Sequence, residues 1–268
     1  MKMTKNMNIA ISSIYLNNSI KKINNSTLKA LLNRNYLDTD LRITESGKVY
    51  VISRMSLIKQ CSELSLNIEN IEVSYKSKPE LVALQYYKSQ GFNGVNSEGL
   101  GVLTVLKALM LDELLKYEPF DGCPEYMMRS VVCTTYLESL LVNLNNNFNE
   151  LATSIINVSR NRFKNNFEDI LKYKDDDPDY KKLSIEFAIS MYDALTKDNF
   201  ISILRKVLED PYTYRNGWCD LTLIKSNKLY FIEVKTSDKL HSSQLITIQA
   251  MRKIIPSYFG ICKVKKII

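Results

Sequence analysis

The chain has 268 residues, of which 45% are hydrophobic and 10% aromatic, a composition that indicates a folded globular protein and excludes a disordered one. Its formal net charge of +7 favours an anionic partner such as nucleic acid, although charge alone is a weak indicator. Five scattered cysteines without a CxxC pair, and a single histidine, exclude a zinc finger or a histidine-rich metal site.

The sequence also predicts where the protein works. The segment MKMTKNMNIAISSIYLNNS lacks the sustained apolar stretch of a secretory signal peptide. No apolar run approaches the roughly 18 residues that a membrane span requires. Scattered thiols are typical of a reducing compartment. We therefore expect a cytoplasmic protein, associated with the nucleoid if its source is bacterial, and no membrane partner.

Residues 1–80 are predicted to form an N-terminal extension. Residues 1–40 are rich in Asn, Lys and Ser and predict one weak helix. In LRITESGKVYVIS, residues 41–53, alternating residues follow a Ser-Gly pair, which predicts a β-hairpin. RMSLIKQCSELSLN, residues 54–67, predicts a helix.

Residues 81–268 are predicted to form a second domain that begins with helices. ELVALQYYKSQ, residues 80–90, predicts an apolar helix that ends at the following glycine. GFNGVNSEG, residues 91–99, predicts a loop, and apolar residues recur at helical spacing over residues 100–117. The pattern stays helical over about 118–208, which predicts a large helical insertion.

The C-terminal part has an α/β pattern. Two apolar strands joined by a short polar turn predict a hairpin over residues 219–235. A helix over 242–254 and a strand near 258–265 follow. The predicted fold class is therefore α/β, with a mixed central sheet flanked by helices and interrupted by the helical insertion.

The hairpin carries charged residues inside apolar strands. Asp220 opens its first strand, while Glu233 and Lys235 lie two residues apart on the second and therefore on one face. The hairpin brings Asp220 beside Glu233, and two adjacent carboxylates favour a compensating cation. Oxygen ligands without His or Cys select Mg²⁺ or Mn²⁺, and Lys235 could polarise an attacking water.

A simpler interpretation is that Asp220 caps a turn and that Glu233 and Lys235 form a solvated ion pair on an edge strand. The apolar residues around Glu233 argue against it, because they indicate a strand at the centre of a sheet.

These residues resemble the VRR-NUC branch of the PD-(D/E)xK nucleases, and within it the Fanconi-associated nuclease group. The tail is similar to that family in the segments GWCDLTL, FIEVK and DKLHSSQ, and a second similarity covers ALQYYKSQGFNGVNSEG, residues 83–99. The resemblance implies a restriction-endonuclease-like core. It also implies that Glu98 is a helix-borne metal ligand beside Asp220 and Glu233, and we expect the Val234 carbonyl to add an oxygen.

The sequence departs from the family pattern at two positions. Cys219 stands where a proline usually precedes the aspartate, and Asn96 stands where a histidine is usual. Neither is a metal ligand in this assignment. Glu98 and Asp220 are 122 positions apart. The resemblance further implies that helices fill this gap and block the dimerisation of small junction resolvases, so we expect a monomer.

Five residues are predicted to contact nucleic acid. Basic side chains expected around the site could bind backbone phosphates, and the resemblance suggests that a glutamine on the last helix orients a phosphate. These residues are Lys225, Lys228, Lys239, Arg252 and Gln244.

The sequence thus predicts a Mg²⁺- or Mn²⁺-dependent DNA phosphodiesterase of the repair type. Its expected substrate is flap, branched or single-stranded DNA. Three alternatives with the same fold remain. They are a Holliday-junction resolvase, a defence endonuclease whose recognition element lies in residues 1–80, and an inactive nucleic-acid-binding module.

Overall fold

The computed structural model describes residues 3–17, 20, 23–74, 76–117 and 122–267. Residues 118–121, where the helical insertion was predicted to begin, lie outside the described residues. The chain divides into two compact units. The first contains Met1–Ser65 and Asp238–Ile246, and the second contains Leu66–Ser237 and Thr247–Ile268.

The first unit is helical. Its helices are α1 Lys5–Asn17, α2 Asn25–Leu32, α3 Glu45–Ser53 and α4 Leu57–Leu64. Two helices therefore replace the single weak helix predicted over residues 1–40, because the Asn24 side chain accepts a hydrogen bond from the Thr27 N–H at 2.8 Å and starts α2 anew. The helices pack around an apolar core of Met7, Ala10, Ile11, Ile14, Leu31, Leu37 and Val51.

The hairpin predicted around the Ser-Gly pair is wrong. Those two residues lie in the first turn of α3, where the Thr44 hydroxyl accepts a hydrogen bond from the Gly47 N–H at 3.1 Å. An N-cap of this kind satisfies a backbone donor that would otherwise lack a partner, and so favours helix over strand. An isolated antiparallel bridge, Leu37 to Ile43, precedes the helix.

The second unit is built on a mixed five-stranded sheet, as the predicted α/β class requires. Its strands are β1 Asn67–Val73, β2 Asn93–Asn96, β3 Leu221–Lys225, β4 Lys228–Lys235 and β5 Ser257–Lys266. The strand order is β1-β5-β4-β3-β2. β5 is parallel to both neighbours, whereas β3 is antiparallel to β4 and β2. The sequence analysis did not predict β1 or β2; β2 lies within the predicted glycine loop.

Helices of the second unit flank the sheet, and most of them belong to the stretch of sequence that connects β2 to β3. They are α5 Pro79–Ser89, α6 Gly99–Leu109, α7 Leu111–Leu114, α8 Glu125–Thr134, α9 Leu137–Leu141, α10 Phe148–Asn157, α11 Arg160–Tyr173, α12 Ile185–Ala194, α13 Lys197–Glu209 and α14 Pro211–Arg215. Helix α15, Ser242–Met251, begins in the first unit and ends in the second. No helix in the described ranges has both the length and the apolar character needed to cross a membrane.

The predicted β3–β4 hairpin is confirmed. Ser226 and Asn227 form its two-residue turn, with φ angles of 51° and 56°, and a turn of this kind matches the twist of antiparallel strands. The ladder runs from the pair Lys225–Lys228 at the turn to the pair Leu221–Ile232 at the other end. The hairpin therefore brings the residue before β3 next to the end of β4.

The two faces of the sheet differ in character around this end. Leu221, Ile232 and Val234 project to one face, where they form an apolar core with Ala83 and Tyr87 of α5. Because side chains alternate along a strand, the residues between them project to the opposite face. That opposite face carries the charged residues of the candidate site.

Candidate active site

Asp220 lies immediately before β3, next to the last paired residues of the hairpin. Its carboxylate oxygen Oδ2 accepts a hydrogen bond from the Val234 backbone N–H at 2.8 Å. This bond fixes the Asp220 side chain against the end of β4, where Glu233 is the preceding residue. The structure therefore brings Asp220 and Glu233 together, as the hairpin predicted.

Glu233 and Lys235 form a buried ion pair on the same strand. The Lys235 Nζ lies 2.9 Å from Glu233 Oε1, and the two side chains are only 5% and 1% exposed. A solvated pair on an edge strand is therefore not what the chain contains. Removing two charges from water is costly, and apolar residues of similar size often stabilise a protein at least as well. A buried pair at this position is therefore weak evidence for a gain in stability, and it makes Glu233 and Lys235 candidates for a functional site.

Two neighbouring acids perturb Asp220. Burial and then the repulsion of the Glu233 carboxylate raise the pKa of Asp220 to about 8. Glu80, in the first turn of α5, adds a smaller repulsion of the same sign, and the sequence analysis did not single it out. Burial also raises the pKa of the Cys219 thiol well above its usual range, so this residue adds no thiolate.

A hydrogen bond between backbone groups connects Glu98 to Asp220. The Glu98 N–H donates to the Asp220 carbonyl oxygen at 3.4 Å, and its exposed side chain leaves the chain at the N-cap of α6. Its backbone adopts φ 47° and ψ −132°, a conformation that residues with a Cβ rarely occupy. Backbone strain of this kind concentrates at functional sites.

Two substitutions at Glu98 separate its backbone strain from its carboxylate. We expect the free energy of unfolding of Glu98→Gly to be about 1 kcal/mol higher than that of Glu98→Ala, because glycine adopts the positive φ without a steric penalty. Both variants should bind Mn²⁺ more weakly than the parent protein, because both lack the carboxylate. Urea unfolding and calorimetric Mn²⁺ titration measure the two effects. Equal stabilities would contradict the strain, and unchanged Mn²⁺ affinity would contradict the ligand assignment.

The donor set fits a hard divalent cation in its chemistry. Asp220 and Glu233 offer only oxygen ligands, and a cation would relieve the repulsion that raises the pKa of Asp220. As the side chains stand, no three His, Cys, Asp or Glu residues in the described part of the chain form a group that could hold a metal ion. The assignment of Glu98, Asp220, Glu233 and the Val234 carbonyl to a shared metal site stays a prediction.

Lys225 and Lys228 lie at the turn of the hairpin. Five residues of extended strand, about 16 Å, separate Lys225 from Asp220. The Lys225 ammonium donates to the Gln90 carbonyl oxygen at 2.7 Å and lies 4.9 Å from the centroid of the Phe92 ring. The two-residue turn places both lysines at the opposite end of the hairpin, so they do not surround the carboxylates. Their contact with nucleic acid stays a prediction.

The other predicted contacts to nucleic acid lie around α15. Lys239 and Gln244 belong to the first unit, and Gln244 Oε1 accepts a hydrogen bond from the His241 backbone N–H at 2.9 Å, which closes the first turn of the helix. Arg252 directly follows α15 in the second unit and is exposed. Roles for these three residues in DNA binding stay predictions.

No protein-family model matches the chain, and no curated protein matches it.

Solved structures do share the fold. The crystal structures of paFAN1 bound to gapped DNA with a two-nucleotide or a one-nucleotide 5′ flap each match with a TM-score of 0.54 and 15% sequence identity. Each match covers 98% of this chain and 49% of the paFAN1 chain, so this chain spans about half the length of that protein. At this identity the likeness concerns the fold. The shared fold confirms the resemblance to the Fanconi-associated nuclease group.

Proposed function

We propose that this chain is a Mg²⁺- or Mn²⁺-dependent nuclease that hydrolyses phosphodiester bonds in flap or branched DNA. The observation that carries the proposal is the group formed by Asp220, Glu233 and Lys235 at one end of the β3–β4 hairpin, in which the half-buried Asp220 adjoins a buried glutamate–lysine pair. The likeness in fold to paFAN1, which was crystallised with flap DNA, supports it. The same group and fold support a PD-(D/E)xK core.

The chain's own residues suggest a division of labour. Asp220 and Glu233, with Glu98 and the Val234 carbonyl, would hold the cation. When bound, Mg²⁺ or Mn²⁺ supplies Lewis-acid stabilisation of the negative charge that develops on the phosphate. The Lys235 ammonium, positioned by Glu233 at 2.9 Å, would hold a water molecule in line with the phosphorus. Burial keeps Glu233 and Lys235 in a low-dielectric environment, where their electrostatic interactions are stronger than in water.

The proposal is tested with labelled flap, junction, duplex and single-stranded DNAs incubated with the protein in Mn²⁺. Cleavage of the flap substrate that stops on addition of a chelator is the expected result. Preferential, symmetric cleavage of four-way junctions would favour a resolvase, and sequence-dependent cleavage of duplex DNA would favour a defence endonuclease. DNA binding without cleavage of any substrate would identify an inactive binding module.

We further propose that Lys239, Gln244 and Arg252 contribute to phosphate contacts. Each cationic contact adds to the salt dependence of DNA affinity. Replacing Arg252 with glutamine should therefore reduce the slope of log affinity against log salt by about one unit. An unchanged slope would remove Arg252 from the DNA-binding surface.

We also propose that the chain cleaves as a monomer. Helices α8 to α13 lie between β2 and β3 in sequence. They account for most of the residues that separate Glu98 from Asp220 along the chain. Symmetric cleavage of both strands of a junction needs two sites related by a two-fold axis. Light scattering at micromolar concentration should give a mass near 30.9 kDa. A stable dimer would favour the resolvase over a nuclease that cuts one strand at a time.

A further inference from the structure

A cavity of about 260 Å³ opens beside Glu98, at the N-terminal end of α6. We propose that it receives one unpaired nucleobase of the DNA strand bound at the candidate site. The inference rests on the proposed function, since it assigns part of that substrate to a place next to the catalytic carboxylates. The cavity is smaller than the roughly 300–1,000 Å³ of sites for drug-sized molecules, and so it suits a small flat group.

The cations that line the cavity already have partners. The Arg215 guanidinium lies 2.9 Å from a carboxylate oxygen of Glu138, which is buried. Lys182 lies 2.7 Å from Asp179. The buried Lys107 ammonium donates to two backbone carbonyl oxygens, at 2.8 and 2.7 Å. A phosphate entering the cavity would have to compete with these interactions.

The acids of the cavity balance its cations. Glu98, Glu138 and Asp179 line the cavity with Lys182, Arg215 and Lys107, so even with Lys107 protonated the lining carries no surplus of positive charge. A phosphate or another anion would need such a surplus to offset the loss of its hydration. The charge balance therefore favours an uncharged ligand with polar edges.

Ser97 supplies a hydrogen-bonding group for such a ligand. It lines the cavity, is only 7% exposed, and its hydroxyl has no hydrogen-bond partner among the described residues. A buried hydroxyl without a partner is destabilising, and hydroxyls both donate and accept hydrogen bonds. The edge of a nucleobase, which carries donors and acceptors, can complete this bond.

Tyr136 supplies an aromatic surface at the cavity. Its ring lines the cavity and is 41% exposed, with the Lys174 ammonium 4.5 Å from the ring centroid. Proteins hold unpaired bases by stacking them on aromatic side chains, and such stacking tolerates any base. An exposed tyrosine beside a buried hydroxyl thus combines stacking with edge recognition.

The place of the cavity identifies which base enters it. Glu98 lines the cavity and bonds through its backbone N–H to the Asp220 carbonyl oxygen. A strand whose phosphate lies at the carboxylates therefore passes the opening within one or two nucleotides of the cleaved bond. A flap or branch point provides an unpaired base at such a position.

The test replaces single nucleotides on either side of the cleavage position with an abasic analogue that keeps the sugar-phosphate backbone. Affinity for each DNA is measured by fluorescence anisotropy without divalent metal, and cleavage is measured with Mn²⁺. At one position, loss of the base should weaken binding and raise KM about 10-fold. That penalty should disappear in Tyr136→Ala and shrink in Ser97→Ala, because these variants no longer hold the base.

Control variants keep the result specific to the cavity. Tyr136→Phe retains the ring and should therefore retain the abasic penalty. Tyr173→Ala removes an exposed tyrosine that does not line the cavity, and it should leave the penalty unchanged. A penalty that persists in Tyr136→Ala, or equal effects at all positions, would overturn the inference. Because affinity is read without metal, absence of cleavage would refute the proposed nuclease while the binding data still decide the cavity.

Two further measurements distinguish a base of the bound DNA from two other ligands, a terminal phosphate and a free nucleoside. If loss of a terminal phosphate, and not loss of a base, is the change that couples to Tyr136 and Ser97, the cavity is an anion site and the inference fails. Free deoxynucleosides at millimolar concentration should compete weakly with DNA in the parent protein and not in Tyr136→Ala. Tight nucleoside binding that leaves DNA affinity unchanged would assign the cavity to a free nucleoside and overturn the inference.

Discussion

Replacing Asp220 with asparagine should reduce Mn²⁺-dependent DNA cleavage by about 10³-fold, the scale typical of groups that stabilise charge in a transition state. Asparagine keeps the shape of the side chain and an oxygen that can accept the Val234 N–H, which lies 2.8 Å from Asp220 Oδ2. It removes the negative charge that would hold the cation. A steady-state assay on flap DNA measures the loss, and calorimetric titration should show weaker Mn²⁺ binding.

The same variant should retain its fold. In the metal-free protein, burial and the Glu233 carboxylate make the ionised form of Asp220 unfavourable, and asparagine relieves this repulsion. Urea unfolding at pH 7 is therefore expected to show no loss of stability. Glu186→Gln, at an exposed acid on α12, is the matched control and should leave cleavage unchanged. Cleavage by Asp220→Asn within tenfold of the parent protein would refute the assigned site.

Replacing Lys107 with methionine should lower the free energy of unfolding by about 3 kcal/mol, because one buried and one half-buried carbonyl lose their donor. Lys107 is 1% exposed, and its Nζ donates to the carbonyl oxygens of Cys133 and Thr135 at 2.8 and 2.7 Å. Methionine is of similar length, so the packing changes little. Fluorescence of Trp218, the chain's single tryptophan, can follow unfolding of the second unit in urea.

Lys107 should also make stability depend on pH. Burial lowers its pKa to about 7, with Lys174 adding to this effect and Glu138 opposing it. Between about pH 7 and 10 the unfolded chain then binds more protons at this position than the folded chain does, so its contribution to stability rises with pH in that window. A neutral amine still has two N–H groups for the two carbonyls.

The comparison of variants isolates this effect. The stability difference between the parent protein and Lys107→Met should grow from pH 7 to pH 9. Lys164→Met removes an exposed lysine of α11 that lies 3.5 Å from Glu168, and it should cost no more than about 0.5 kcal/mol at either pH. A difference that is the same at both pH values would contradict the lowered pKa of Lys107.

The tail of the fold could be predicted from the sequence because its signals are local. The two apolar runs and the short polar turn define β3 and β4, and the turn residues adopt the left-handed conformation that such a turn needs. Once the hairpin is known, its pairing puts Asp220 beside Glu233. The spacing of Glu233 and Lys235 puts both on one face.

The rest of the sheet could not be predicted in this way. β1 is NIENIEV, a segment whose alternation is weak and whose pairing partner, β5, begins 184 residues after its end. β2 has four residues, two of them asparagines and one a glycine, and it is ordered by pairing with β3. Long-range pairing of this kind leaves little trace in local composition. The segment read as a hairpin before α4 failed for the opposite reason, since a local cap at Thr44 outweighed the alternation.

The sequence by itself determined the α/β class, the hairpin and the identity of its charged residues, because these depend on side-chain periodicity and turn chemistry over a few residues. The tertiary structure decided which of the other charges meet. It buries the Glu233–Lys235 pair, brings the Glu98 backbone to Asp220 across 122 residues, and balances the acids and bases of the adjoining cavity. Electrostatic interactions depend on distance and burial, and packing of distant segments sets both.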